Sequence, residues 1–183
     1  MKKLIISILL LTLFGLFGCS YHQAYTRGTE IQAKARRVAL LPLVNLTSYP
    51  NAGRIVGDLL ATELYALTNF QLLERTEMLQ KLKGNEDDLD YVLEKVDAQK
   101  VGKMLGVDTV IYGSVSEYRY KRGLDESPVV GINIRLLDVK TGRILWAASR
   151  SEIGGCFWFC EDSLNRLAQK VCHRMVLNMI KGR

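Results

Sequence analysis

Between Thr109 and Arg150 the chain reads as three consecutive strands, and this stretch limits the fold more than any other. Thr109 to Tyr120 is rich in β-branched and aromatic residues and alternates in its second half. Val129 to Val139 sets Ile132, Ile134 and Leu136 on one face of a strand. Lys140-Thr141-Gly142-Arg143 is a tight hairpin, and Ile144 to about Arg150 returns alongside. Such a meander has an apolar face that must be covered by another layer.

The preceding residues supply cover and further strands. Arg37 to Val44 is a short apolar run, read as a buried strand with Pro42 at an edge, a bulge or the strand's end, because proline cannot donate to a ladder. Asn45 to Asn51 has turn chemistry. Val56, Leu60 and Leu64 then mark a helix from about Ala52 to Thr68. Phe70 to Glu74 is a second short strand and Thr76 to Lys83 a short helix, broken by the charged loop Gly84 to Asp88. Leu89 to Leu105 is a longer helix whose apolar face is read as Leu93, Val96, Val101, Met104 and Leu105, with Gly106 as its stop. Asp162 or Ser163 caps a final helix to about Ile180, with Leu164, Leu167, Ala168, Val171, Met175 and Met179 inward. The order β-α-β-α-α-β-β-β-α predicts one α/β (α+β) sandwich over residues 36–183, a mixed sheet of about five strands with helices packed on it.

The N-terminus fixes the compartment. Met1-Lys2-Lys3, an apolar run from Leu4 to Phe17 and the small residue Gly18 have the three parts of a secretory signal. The run is short for a membrane span of roughly 20 residues. Leu16-Phe17-Gly18-Cys19 resembles the lipobox of bacterial lipoproteins. That resemblance implies loss of residues 1–18 and a diacylglycerol plus an N-acyl (palmitate-type) chain on Cys19. Together these give a stable membrane anchor. Ser20, where an Asp would favour retention, implies the periplasmic face of the outer membrane. Residues 19–35 are polar and read as a flexible tether, reaching roughly 55 Å at most when extended.

Composition removes several function classes. The formal net charge is +6, of which Lys2 and Lys3 belong to the signal, and the remaining basic residues are spread along the chain, so nucleic acid is not an expected partner. With Cys19 acylated, Cys156, Cys160 and Cys172 remain, an odd number. Cys156 and Cys160 bracket Phe157-Trp158-Phe159 and are a candidate disulfide in an oxidising compartment, while Cys172 reads as a small core residue. The only histidines are His22 and His173, too few for a zinc site, so no metal is expected. No nucleophile elbow, phosphate loop or His-Glu-x-x-His motif occurs, and Glu86 to Asp90 reads as a solvated loop, so no catalytic residue is assigned. A thiol redox role for Cys156 and Cys160 meets the wrong spacing, with three intervening residues instead of two. Phe157, Trp158 and Phe159 either cap the core beneath the last helix or contact a partner, a neighbouring subunit or lipid headgroups.

Four segments carry a further resemblance. They are Val38 to Thr47, Phe70 to Arg75, Gly102 to Val115, and Ile134 to Trp146 with its Asp138-Val139-Lys140-Thr141-Gly142-Arg143 hairpin. In that order and spacing they resemble CsgG-like envelope lipoproteins. The same fold occurs in LpoB, an activator of a peptidoglycan synthase, and in the N-terminal domain of TolB. The resemblance implies a protein that is not an enzyme: an outer-membrane-anchored interaction module, accessory to an envelope secretion or assembly complex. Its expected partners are the membrane, through its anchor, and an envelope protein, with homo-oligomers compatible. An LpoB-like synthase activator and a CsgG-like export channel are the alternatives. The short tether argues against the first. The short, charged connection Arg119 to Pro128 argues against the second.

Overall fold

The computed structural model describes residues 20–26, 31, 35–82, 95–121, 126–154 and 163–181. Strands β1 (Ser20–Thr26), β2 (Arg37–Leu40) and β3 (Val44–Asn45) precede helix α1 (Ala52–Leu67). Strand β4 (Gln71–Leu72), helices α2 (Arg75–Leu82) and α3 (Lys95–Leu105), strands β5 (Thr109–Lys121), β6 (Ser127–Asp138) and β7 (Ile144–Ile153), and helix α4 (Leu164–Lys181) follow. The sheet runs β1-β7-β6-β5-β2-β4, with β3 also on β5. β2, β3 and β4 are parallel to their neighbours, and β5, β6, β7 and β1 are antiparallel. The α/β sandwich and its mixed sheet are thus as expected, with seven strands in place of about five.

Both extra strands have a physical origin. Pro42 divides the expected Arg37 to Val44 strand into β2 and β3, since it offers no N–H. The chain stays aligned through Leu41 N–H to Ile111 O at 2.9 Å and Leu46 N–H to Val115 O at 3.0 Å. β1 lies where a flexible tether was expected. Without it β7 would be an edge strand with a row of unpaired backbone groups. Ser20 to Thr26, containing Tyr21, Tyr25 and Thr26, has suitable β-formers and pairs with Glu152 to Trp146 in continuous register. Ile31 and Ala35, also in the expected tether, are buried in the core.

The core has two layers, one on each face of the sheet. α1 and α4 cover one face through Val56, Leu60, Leu64, Leu167, Val171, Met175 and their neighbours against Ile111, Val115, Ile132, Ile134 and Leu136. α2 and α3 cover part of the other through Met78, Ala98 and Leu105 against Val110, Tyr112, Leu137 and Val139. All six inward positions expected on α4 are buried. Ser163 accepts from Arg166 N–H at 3.2 Å and so caps this helix. Met104 corrects the reading of α3: its side chain is exposed, while Leu105 is buried as expected, Val101 packs against the same layer and Ala98 joins it; Leu93 lies outside the described residues. Gly106 and Gly142 sit at φ 68° and 67°, the left-handed positions a helix stop and a tight turn require. Asp138 Oδ1 closes that turn by accepting from Lys140 N–H at 2.9 Å and Thr141 N–H at 3.2 Å.

The register of β5 against β6 shifts between Val115 and Glu117. As a result Val115 and Tyr118, three residues apart, both enter the α1/α4 layer. A second shift, opposite Leu136 and Leu137, turns both Leu145 and Trp146 into that layer.

Candidate functional site

Among the described residues, the end of the sheet where β5 meets β6 and β7 stops gathers most of the exposed large aromatic and aliphatic side chains. Tyr118, Val130, Glu152 and Ser20 lie in one row across four strands. Tyr118 is buried, donates to Asn165 Oδ1 on α4, and meets Tyr49 edge-on with ring centroids 4.9 Å apart. Burial pushes its phenol up to about 12, with Tyr49 and Tyr120 adding to the effect. Beyond that row Tyr120 and Ile153 are 44% and 51% exposed, and Leu46 and Tyr49 are exposed on the loop before α1. Asn45 shapes that loop, its Oδ1 accepting from Thr47 N–H at 3.0 Å and its Nδ2 donating to Tyr49 O at 2.9 Å.

One polar linkage braces this end against α4, and a second joins α4 to α1. Glu152 is buried and accepts from Arg150 on its own strand and from Arg174 Nη1 of α4 at 2.7 Å. Glu63 of α1 is also buried, accepts from Gln169 of α4 and lies 2.7 Å from His173 Nδ1. Sequence reasoning missed both, because the partners are far apart in the chain and no local pattern announces them.

The face of β5, β6 and β7 opposite α4 is polar around Ser116, Asn133 and Ser149. Ser149 Oγ donates to Asn133 Oδ1 at 2.6 Å, Asn133 Nδ2 to Ser116 Oγ at 3.3 Å, and Ser151 Oγ to Glu117 Oε2 at 2.8 Å. A shallow cavity of about 240 Å³ lies here, lined by Gln23, Asn133, Arg135, Ala147 and Ser149 among others. An antiparallel sheet tolerates such a solvated face. A narrower cavity of about 140 Å³ lies between α1 and the β4–α2 turn, where Tyr65 Oη donates to Glu74 Oε1 at 2.5 Å.

Burial pushes the Cys172 thiol up to about 12, so it stays protonated and inert. Tyr65 is raised first by its hydrogen bond to Glu74, and Tyr112 by burial. All four shifts move away from neutrality. Among the described residues no group of three His, Cys, Asp or Glu side chains could hold a metal ion, and no helix is long and apolar enough to cross a membrane. Cys19, Cys156, Cys160, Phe157, Trp158 and Phe159 lie outside the described residues.

Comparison with known proteins agrees with this fold. PelC of Paraburkholderia phytofirmans, a dodecamer, is 21% identical over 86% of this chain and 95% of its own, with a TM-score of 0.62. Lipoprotein GNA1162 of Neisseria meningitidis is 23% identical over 78% of this chain and 99% of its own, with a TM-score of 0.56. Hypothetical protein CT253 of Chlamydia trachomatis is 10% identical over 81% of this chain and 99% of its own, with a TM-score of 0.52. No curated protein sequence matches the chain. The family described as curli production assembly/transport component CsgG matches residues 26–153, from the end of β1 to the end of β7. The resemblance read from the sequence therefore holds, and the chain belongs to the CsgG family.

Proposed function

We propose that the protein is a lipid-anchored, non-enzymatic accessory subunit of an envelope assembly or export complex, acting as a homo-oligomer at the periplasmic face of the outer membrane. The family match across the sheet carries this reading. The lipobox at Leu16 to Cys19 supports the anchor, and the dodecameric PelC supports self-association. Two features weigh against the alternatives. β1 takes up the start of the tether, which shortens the reach an LpoB-like activator would need. β5 and β6 stay paired to Lys121 and Ser127, so residues 122–126 alone join them. Two added membrane strands would need roughly 9–11 residues each.

The test is native mass spectrometry of the detergent-extracted, acylated protein. A closed oligomer of defined mass is expected; a monomer at every concentration would overturn the oligomeric reading. Trp158→Ala should leave folding intact and weaken association. Unchanged association would remove the aromatic triplet from the interface. A thiol redox role predicts reductase or isomerase activity that is lost when Cys156 and Cys160 are both replaced by serine, and a protein without such activity disposes of it.

A further inference from the structure

The register of β1 fixes where the residue next to the anchor lies on the sheet. Ser20, joined directly to Cys19 in the chain, pairs with Glu152, next to Ile153, the last residue of β7. The next rows outward are Arg119 with Val129 and Ile153, Tyr120 with Pro128, and Lys121 with Ser127. At about 3.4 Å per residue, the arms of β5 and β6 extend roughly 10 Å past the Ser20 row. The headgroup layer of one leaflet is roughly 5–8 Å thick. An acyl chain attached at position 19 therefore brings these arms into that layer.

The residues found there suit it. Tyr120 is exposed on the face where Tyr49 packs edge-on against the buried Tyr118, and Ile153 is exposed on the opposite face of the same sheet end. Tyrosine rings favour the boundary between acyl chains and headgroups, and a lysine at this depth extends its amine to water and phosphate. Charge at this end is nearly balanced. Arg119 pairs with Glu117 at 3.1 Å, and Glu126 offsets Lys121. Contact thus depends on apolar and aromatic burial, and zwitterionic lipid suffices.

From these positions we infer that the sheet end bearing Tyr49, Tyr120, Lys121 and Ile153 rests on the headgroup layer of a phospholipid bilayer, holding the domain against the membrane. This rests on acylation of Cys19, which the mass of the mature protein reports separately. Full-length protein processed in cells is reconstituted into phosphatidylcholine vesicles whose acyl chains carry bromine near the headgroup end. Tyr120→Trp adds an emitter at the inferred contact, Tyr65→Trp adds one at the far end of α1, and emission is read as the difference from the parent protein. The signal added at 120 should lose at least half its intensity relative to unbrominated vesicles, and the signal at 65 should keep nearly all of its own. Ile153→Trp replaces the first variant if that one fails to fold, with the same expectation. Acylated protein that floats with vesicles but shows no quenching at 120 or 153, or equal quenching at 65, overturns the inference and leaves the anchor standing. An unacylated Cys19 overturns both.

Discussion

Glu152 offers a test of how the β7 end is held to α4. Its carboxylate is 8% exposed and joins two cations in different surroundings: Arg150, 11% exposed, and Arg174, 51% exposed at 2.7 Å. Removing the carboxylate in Glu152→Ala takes one buried anion from the largely desolvated Arg150 guanidinium, a loss of up to about 3–5 kcal/mol for a broken buried pair. Arg174→Ala removes only a half-exposed, solvent-screened arm and should cost at most about 1 kcal/mol. For a chain of this size Glu152→Ala should lower Tm by roughly 6–20 °C, and Arg174→Ala by a few degrees at most. Replacing Arg150 and Glu152 together with Met should recover most of the loss, since no buried charge is then stranded. Urea unfolding followed by circular dichroism, with unchanged m values, gives the free energies. Equal costs for Glu152→Ala and Arg174→Ala, or a double variant no better than the single, would refute the reasoning.

Gly53 and Gly57, both on α1, should respond with opposite signs to alanine. A Cβ at 53 would lie 2.0 Å from Leu43 O, so Gly53→Ala must displace backbone, whereas a Cβ at 57 meets nothing within 4 Å, and thermal melts should show loss for the first and a gain for the second. The gain at Gly57 should be about 0.5–1 kcal/mol, the usual benefit of alanine over glycine inside a helix. Tyr118 is held at about 12 in the fold against 10.0 unfolded, so its contribution is complete below pH 10 and is lost as pH rises toward 12. Tyr118→Phe should flatten the fall in stability over that window; an unchanged slope would contradict the assignment. Cys172 should resist alkylation in the folded protein and react once urea unfolds it, and equal rates in both states would show that its burial is transient.

Helix faces were legible in the sequence because burial recurs at the helical period. α4 follows that rule at every expected position, and Met104 departs from it, its side chain exposed beside the buried Leu105. The Lys140 to Arg143 hairpin was legible because Asp138 and Gly142 are the residues such a turn needs. β1 was not, since what selects it is the backbone edge of β7, distant in sequence, and its own polar residues read equally well as linker. The Glu63–His173 contact spans 110 positions and leaves no periodic trace. The candidate site was not legible locally: the sequence pointed to Cys19 and to Phe157, Trp158 and Phe159, which lie outside the described residues, while the Tyr49–Tyr118–Tyr120 cluster depends on a bulge that no local signal marks.

That bulge gives the long β5–β6 hairpin two reading phases. Up to Val115 the odd-numbered residues of β5 face α1 and α4; from Tyr118 outward the even-numbered ones do. Ser116 is the extra residue: pairing passes from Val115 opposite Ile132 to Glu117 opposite Gly131, so deleting it would close the bulge and leave Glu117 to Lys121 on their present faces. Flattening the bulge with Ser116 retained would act on the tip as a frameshift acts on a message. Every residue from Glu117 to Lys121 would exchange faces, Arg119 would be driven toward the helices, and Tyr118 and Tyr120 would pass to the polar side. The base of the hairpin, already locked into both core layers, would keep its phase. One unpaired residue thus absorbs a slip in the sequence and keeps the outer end of the sheet facing the way its base does.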